Sequence, residues 1–240
     1  MILNHQLVKE KKSKLNFPSD LFINGNYYKS FSEKFFDNIS PIDGKLINQI
    51  SFAQQADIDR AVSVARKVFE KGSWSNMPPG QRKKILLKFS QLIERDRLEL
   101  SLLDTIDMGK TINDTYNADL PTSIDNIEWY AEIIDKLFDD ISPSSKEYMG
   151  LITKEPIGVV AAIVPWNYPL WMAIWKIAPA LITGNSVILK PAEQSPMSAI
   201  KIGALLAEAG LPDGVFSVLP GDGPITGKQL CLHNDIDCVA

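Results

Sequence analysis

Asn167 stands between two prolines in Pro165-Trp166-Asn167-Tyr168-Pro169, at what reads as the junction of a strand and a helix. A side-chain amide fixed at such a junction can donate to an oxyanion developing on a reacting carbonyl, and losing a donor of that kind typically costs ~2.7–4 kcal/mol of transition-state stabilisation. The plainer reading of the same residue is a helix N-cap. Lys190 and Glu193 follow a second apolar run. A carboxylate there can accept hydrogen bonds from ribose hydroxyls, and an ammonium beside it suits ribose or phosphate oxygens. A solvated Lys and Glu after a strand is the alternative. Gly221-Asp222-Gly223-Pro224-Ile225-Thr226-Gly227 leads into a third candidate loop. Its glycines would let a backbone approach a bulky ligand, and a helix N-terminus favours anions. The spacing is G-x-G-x-x-x-G rather than G-x-G-x-x-G, and Asp222 works against a tightly held pyrophosphate, so a plain glycine turn fits equally.

Other chemistries lack their residues. His5 and His233 are the only histidines, and Cys231 and Cys238 the only cysteines. They form neither a spaced metal motif nor a disulfide framework, so no metal is expected; the two cysteines read as small core residues. No G-x-S-x-G elbow occurs. Gly109-Lys110-Thr111 and Gly227-Lys228 resemble the end of a P-loop, but Asp104 and Asp222 stand where its first glycine must be. A net charge of -4 over 240 residues argues against a general nucleic-acid binder. The basic run Lys9, Lys11, Lys12, Lys14 reads as a solvated tail. The most apolar region, Val159 to Leu181, is interrupted by Pro165, Asn167, Pro169, Lys176 and Pro179, so no membrane span is expected. With no apolar signal core before Phe17, a cytoplasmic location is expected.

The elements that must position these residues can be read from pattern. Residues 1–20 read as a poorly ordered lead-in. Leu21 to Tyr28 predicts a hairpin around Asn24-Gly25. Pro41 to Lys45 predicts a turn before a strand through Ile50. Ile58, Ala61, Val62, Ala65, Val68 and Phe69 predict a helix ended by Gly72. A second helix follows Pro78-Pro79 and runs past Asp96 towards Asp107. A third spans Leu120 to Phe138, with Ile127, Trp129 and Leu137 among its inward residues, and 141–145 reads as a linker. Tyr148 to Glu155 alternates like a partly exposed strand. Beyond it, apolar runs at 157–164, 186–190 and 215–219 alternate with helical stretches at 168–182 and 196–209. Strand, helix, strand, helix, strand is a pair of parallel crossover units, an α/β arrangement whose ligand sits beyond the carboxyl ends of the strands. The three candidate loops are those ends.

Several of these stretches, taken in order, resemble the aldehyde dehydrogenase superfamily: Phe22-Ile23-Asn24-Gly25, Pro165 to Pro169, Trp175 to Leu181, Gly184-Asn185, Lys190 to Pro196, and Glu208 to Val215. The likeness covers nearly everything from Leu21 to Ala240. Within the superfamily the wording is most similar to γ-glutamyl-γ-aminobutyraldehyde and betaine-aldehyde dehydrogenases. The resemblance implies an aldehyde dehydrogenase-like fold: a helical N-terminal segment with an incomplete Rossmann-like parallel sheet. It implies that Asn167 is the oxyanion-hole amide, and that Lys190 and Glu193 hold the adenosine ribose of NAD. Glu193 would repel a 2′-phosphate, disfavouring NADP. Ile163, Val164, Pro165 and Trp166 would form the wall along the cofactor, with Gly223 and Gly227 beside the adenine and pyrophosphate. Trp171 and Trp175 could line the aldehyde tunnel or be core. Lys176 matches a family lysine and reads as structural.

In the family a cysteine thiolate attacks the aldehyde, hydride passes to NAD, and a glutamate-activated water hydrolyses the thioester. Neither that cysteine nor that glutamate is found in this sequence, so the catalytic domain is expected to be absent and these residues inactive alone. The resemblance divides the chain into cofactor-domain hairpin and helices over 21–147, an oligomerisation-type strand at 148–156, and a truncated NAD-binding core over 157–240. It implies a homo-oligomer or a complementing C-terminal half as partner. A non-catalytic NAD-binding or subunit-pairing module is the alternative.

Overall fold

The structure is a computed structural model that describes residues 4–240. A helix, α1 (His5–Ser13), opens the chain, its first turn capped by the Asn4 carboxamide. This departs from the expected irregular lead-in: Lys11 ion-pairs at 2.8 Å with Glu99, a tertiary contact that no local pattern announces. The hairpin β1 (Leu21–Ile23) and β2 (Asn26–Tyr28) forms as predicted. Asn24 and Gly25 turn it with φ of 51° and 78°, a left-handed pair that Asn-Gly adopts cheaply. A second hairpin pairs β3 (Phe35–Ile39) with β4 (Leu46–Ser51).

Helices follow. α2 (Gln55–Lys71) buries Ile58, Ala61, Val62 and Ala65, and Gly72 ends it at φ 77°. The single helix expected after Pro79 is two, α3 (Pro79–Arg95) and α4 (Arg97–Met108). They break at Asp96, whose backbone leaves the helical region while its carboxylate receives Arg95. After the short α5 (Ile112–Asp114), a π-type turn over Thr115–Asp119 runs into α6 (Leu120–Ile133). Trp129 and Leu137, expected inward, are exposed at 58% and 49%. Trp129 lies two residues from both Ile127 and Ala131, on the face of α6 away from those buried residues, and the 3-10 turn at Ile134–Lys136 takes Leu137 off the helical stripe. The expected linker contributes β5 (Asp140–Ser142), paired antiparallel with β6 (Gly150–Ile152).

The rest is the sheet that positions the site: β7 (Val159–Ile163), α7 (Pro169–Ile182), β8 (Ser186–Lys190), α8 (Met197–Ala209), β9 (Phe216–Val218), a π-type turn at Gly223–Gly227, α9 (Lys228–Leu232) and β10 (Cys238–Val239). The spatial order is β10-β7-β8-β9-β1-β2. The first four strands are parallel, and the N-terminal hairpin extends the sheet antiparallel through Phe22 opposite Val218. Both faces are buried. Val160, Ala162, Val187 and Leu189 join the larger core with Phe89, Leu120 and Ile174, whereas Val159, Ala161 and Ile188 face a second cluster with Ile58, Ala61 and Leu230. That alternation under two helical layers explains why the strand sequences are apolar throughout. The strand order reverses between β7 and β10, and such a switch point is where open parallel sheets bind ligands.

Candidate active site and cofactor cradle

The loop from β7 to α7 is held by its neighbours. Val164 N–H donates to the Lys190 carbonyl at 3.2 Å, and the Ser195 hydroxyl donates to the Trp166 carbonyl at 3.2 Å. Tyr168 is the capping residue of α7, which has no side-chain cap, so Asn167 does not serve as the N-cap. The Asn167 amide is exposed and has no hydrogen-bond partner among the described residues. It lines a concavity of about 250 Å³ with Tyr168, Trp171, Met172 and Trp175. The ring of Tyr168 meets Trp171 edge to face, with centroids 5.1 Å apart. At its other end α7 is fastened by Trp74, whose indole N–H donates to the Leu181 carbonyl at 2.8 Å, and by Arg82, whose Nε–H donates to the Ile182 carbonyl at 2.8 Å.

Ile163 and Lys190 are register partners at the ends of β7 and β8. Lys190 is 3% exposed, and its Nζ lies 3.4 Å from the Glu193 carboxylate. Burial pulls the ammonium's pKa down, while Glu193 and Asp222 push it back up. Gly227 joins the same corner: a Cβ there would stand 3.9 Å from Lys190 Cδ and 4.0 Å from Ile163 Cδ1. The glycines of the third loop serve different ends. A Cβ on Gly221 would collide with the Thr226 hydroxyl at 1.9 Å, so that glycine is required by packing. Gly223 has no positive φ, and no chain atom lies within 4 Å of where its Cβ would be. Nothing within the chain calls for glycine there, whereas a bulky group lying across the loop would. Asp222 accepts from Ile225 N–H at 2.7 Å and thereby caps the turn.

Glu193 and Asp222 also border a groove of about 410 Å³ lined by Phe36, Ile39, Phe52 and Asp107. Asn167 and Glu193 therefore border separate concavities, and the Ser195 bond to Trp166 ties the loop after β8 to the loop after β7. An ammonium and a carboxylate at one strand end, beside an open glycine, fit a dinucleotide's sugar and phosphates.

Two buried carboxylates were missed by motif reading. Asp107 accepts from Asn38 at 2.8 Å and from Met197 N–H at 2.9 Å, and burial pushes its pKa up to about 8. Asp104 is wholly buried and pushed up to about 7 by that burial, with the Ser198 hydroxyl and Leu170 backbone pulling the other way. The available signal was their place on the inward stripe of α4 with Leu100 and Leu103. Of the two cysteines, Cys231 is exposed on α9 and is not a core residue, whereas Cys238 is half-buried in β10 and packs against the larger core.

A parallel sheet with this strand order, its polar groups gathered at the carboxyl ends of the strands, is of the doubly wound α/β type, in which ligands sit beyond those ends. Residues 27–240 match the aldehyde dehydrogenase family, and the chain belongs to it. It is 45% identical over 232 residues to the NADP/NAD-dependent aldehyde dehydrogenase PuuC of Escherichia coli K12, covering 97% of this chain and 47% of that protein. It is 38% identical to aminoacetaldehyde dehydrogenase of Pseudomonas aeruginosa PAO1, covering 94% and 46%. Among solved structures, the P. syringae indole-3-acetaldehyde dehydrogenase AldA in complex with NAD+ and IAA superposes with a TM-score of 0.97 at 46% identity, over 99% of this chain and 48% of that one. The chain thus spans about half the length of the relatives it matches. No helix among the described residues is long and apolar enough to cross a membrane.

Proposed function

We propose that these residues are the cofactor-contacting part of an NAD-dependent aldehyde dehydrogenase. The observation that carries this reading is the unpartnered Asn167 amide at the carboxyl end of β7, one strand from the Lys190–Glu193 pair. Asn167 donates to the oxygen of the aldehyde as negative charge gathers on it. Glu193 accepts from the adenosine ribose hydroxyls, Lys190 donates to ribose oxygen, and Glu193 disfavours a 2′-phosphate. Ile163, Val164, Pro165 and Trp166 form the wall along the cofactor, with Gly223 and Gly227 beside its adenine and pyrophosphate. When bound, NAD supplies the hydride acceptor.

Neither cysteine is a candidate nucleophile, since neither lines the Asn167 concavity. The 240 residues alone are therefore expected not to oxidise aldehydes. β10 leaves one sheet edge unpaired, where a complementing half would dock. Mixing the chain with a folded family segment that carries the missing cysteine and glutamate should produce NADH, and Asn167→Ala should cut kcat by ~10²–10³-fold. A folded mixture that makes no NADH sinks this reading. The exposed Ile141, Leu151 and Ile152 on the β5–β6 hairpin support a subunit-pairing role for the 148–156 strand. Leu151→Glu should then lower the sedimenting mass; an unchanged mass would remove that role.

A further inference from the structure

Lys110 has no part in the chemistry above, and its Gly-Lys-Thr setting is not a P-loop. It follows Gly109, which ends α4 at φ 73°. Its Nζ lies 2.6 Å from Asp119 Oδ2 and 3.9 Å from the centroid of the Tyr168 ring. The Asp119 side chain is 4% exposed. We propose that Lys110, anchored by Asp119, clamps the Tyr168 ring and so holds the neighbouring Asn167 amide in place, making Lys110 a positioning residue for the oxyanion donor. The role in catalysis rests on the reading of Asn167 given above.

The loop around Asn167 has few holds. Asn167 makes no bond of its own, Trp166 is tied through its carbonyl to Ser195, and Tyr168 is tied through its ring and through its carbonyl, which accepts from Met172 N–H at 2.8 Å. That ring has the ammonium at its face and the edge of Trp171 beside it. A free lysine would extend its ammonium into water, and here a buried carboxylate draws it onto the ring instead.

Asp119 is in turn fixed by the π-type turn it ends, which shifts the helical register just before α6. The Thr115 hydroxyl bonds the Ser101 carbonyl at 3.2 Å, and Arg97 donates to the Tyr116 carbonyl at 2.9 Å. The buried Asp104 carboxyl, close enough to feel both Lys110 and Asp119, is the other titratable group facing the pair from α4. Irregular helical turns of this kind often accompany functional sites, and this one supplies the carboxylate that the lysine needs.

The test is backbone ¹⁵N relaxation of Trp166, Asn167 and Tyr168 in the 240-residue chain and in Lys110→Met, Lys110→Arg and Tyr168→Leu. An order parameter of about 0.85 in the parent should fall below about 0.6 in Lys110→Met, with α7 unchanged, and return in Lys110→Arg. A role in general stability would lower the melting temperature without loosening this loop selectively. Should Lys110→Met not fold, Tyr168→Leu decides, because it removes the ring while leaving the Lys110–Asp119 pair. Full order at Asn167 in the folded variants overturns the clamp. A loosened loop, alongside a complemented enzyme indifferent to Asn167→Ala, would instead retain the clamp and refute the oxyanion role.

Discussion

Arg82→Met tests how α7, which begins two residues after Asn167, is secured at its other end. Arg82 is 7% exposed and donates to three carbonyls: Ile182 at 2.8 Å, Ser75 at 3.2 Å and Met77. Methionine keeps much of the stem volume and removes every donor. Ile182 is 1% exposed, so its carbonyl stays in a dry site and loses about 1–3 kcal/mol of satisfaction. The bonds to Ser75 and Met77 are half-buried, and water can replace part of them. Against these losses stands relief from burying a guanidinium, a cost visible in the downward push that burial exerts on its pKa. The net expectation is about 2–4 kcal/mol of lost stability. Urea unfolding of both proteins, followed by tryptophan fluorescence and far-UV circular dichroism, reads this as a lower midpoint at unchanged slope. A loss below ~0.5 kcal/mol would show that the guanidinium does not secure the helix end.

Asp104→Asn should change how stability depends on pH. The folded carboxyl titrates near 7 against 3.8 when free, so the native state keeps a proton that the unfolded chain releases. Its contribution is full below about pH 4 and is lost as the pH rises through 7, on the order of 4 kcal/mol at ~1.4 kcal/mol per pH unit. Asparagine should flatten that fall in urea midpoints measured from pH 4 to 8.5, and an unchanged slope would refute the burial argument. Gly203→Ala should cost about 1–3 kcal/mol, because the added Cβ would lie 2.5 Å from the Phe22 ring where α8 crosses β1. A melting temperature equal to the parent's would contradict that packing.

The crossover strands were legible because both faces of β7 and β8 are buried, leaving runs such as Val159-Val160-Ala161-Ala162 with no polar interruption. Glycines at 72 and 109 marked helix ends by needing positive φ. Features set by distant partners were not legible. The pattern of apolar residues runs unbroken across Asp96, yet the break there is coupled to Arg95, which also reaches Glu208 on α8. β5 exists only through its pairing with β6, and Phe22 extends the sheet through a register partner almost two hundred residues later. At the site, Asn167, Lys190 and Glu193 stood out by residue type at strand ends. Lys110 and Asp119 did not, because their meeting with Tyr168 depends on a helical turn whose register departs from the regular period.

The most direct test of the central claim is a calorimetric titration of NAD into the folded 240-residue chain and into Glu193→Ala. The account predicts saturable binding at one site by the parent, weakened at least tenfold by Glu193→Ala, and weaker binding of NADP than of NAD. A folded parent that binds no NAD, or one that binds it equally well without the Glu193 carboxylate, would contradict the assignment of the β8 end as the ribose site.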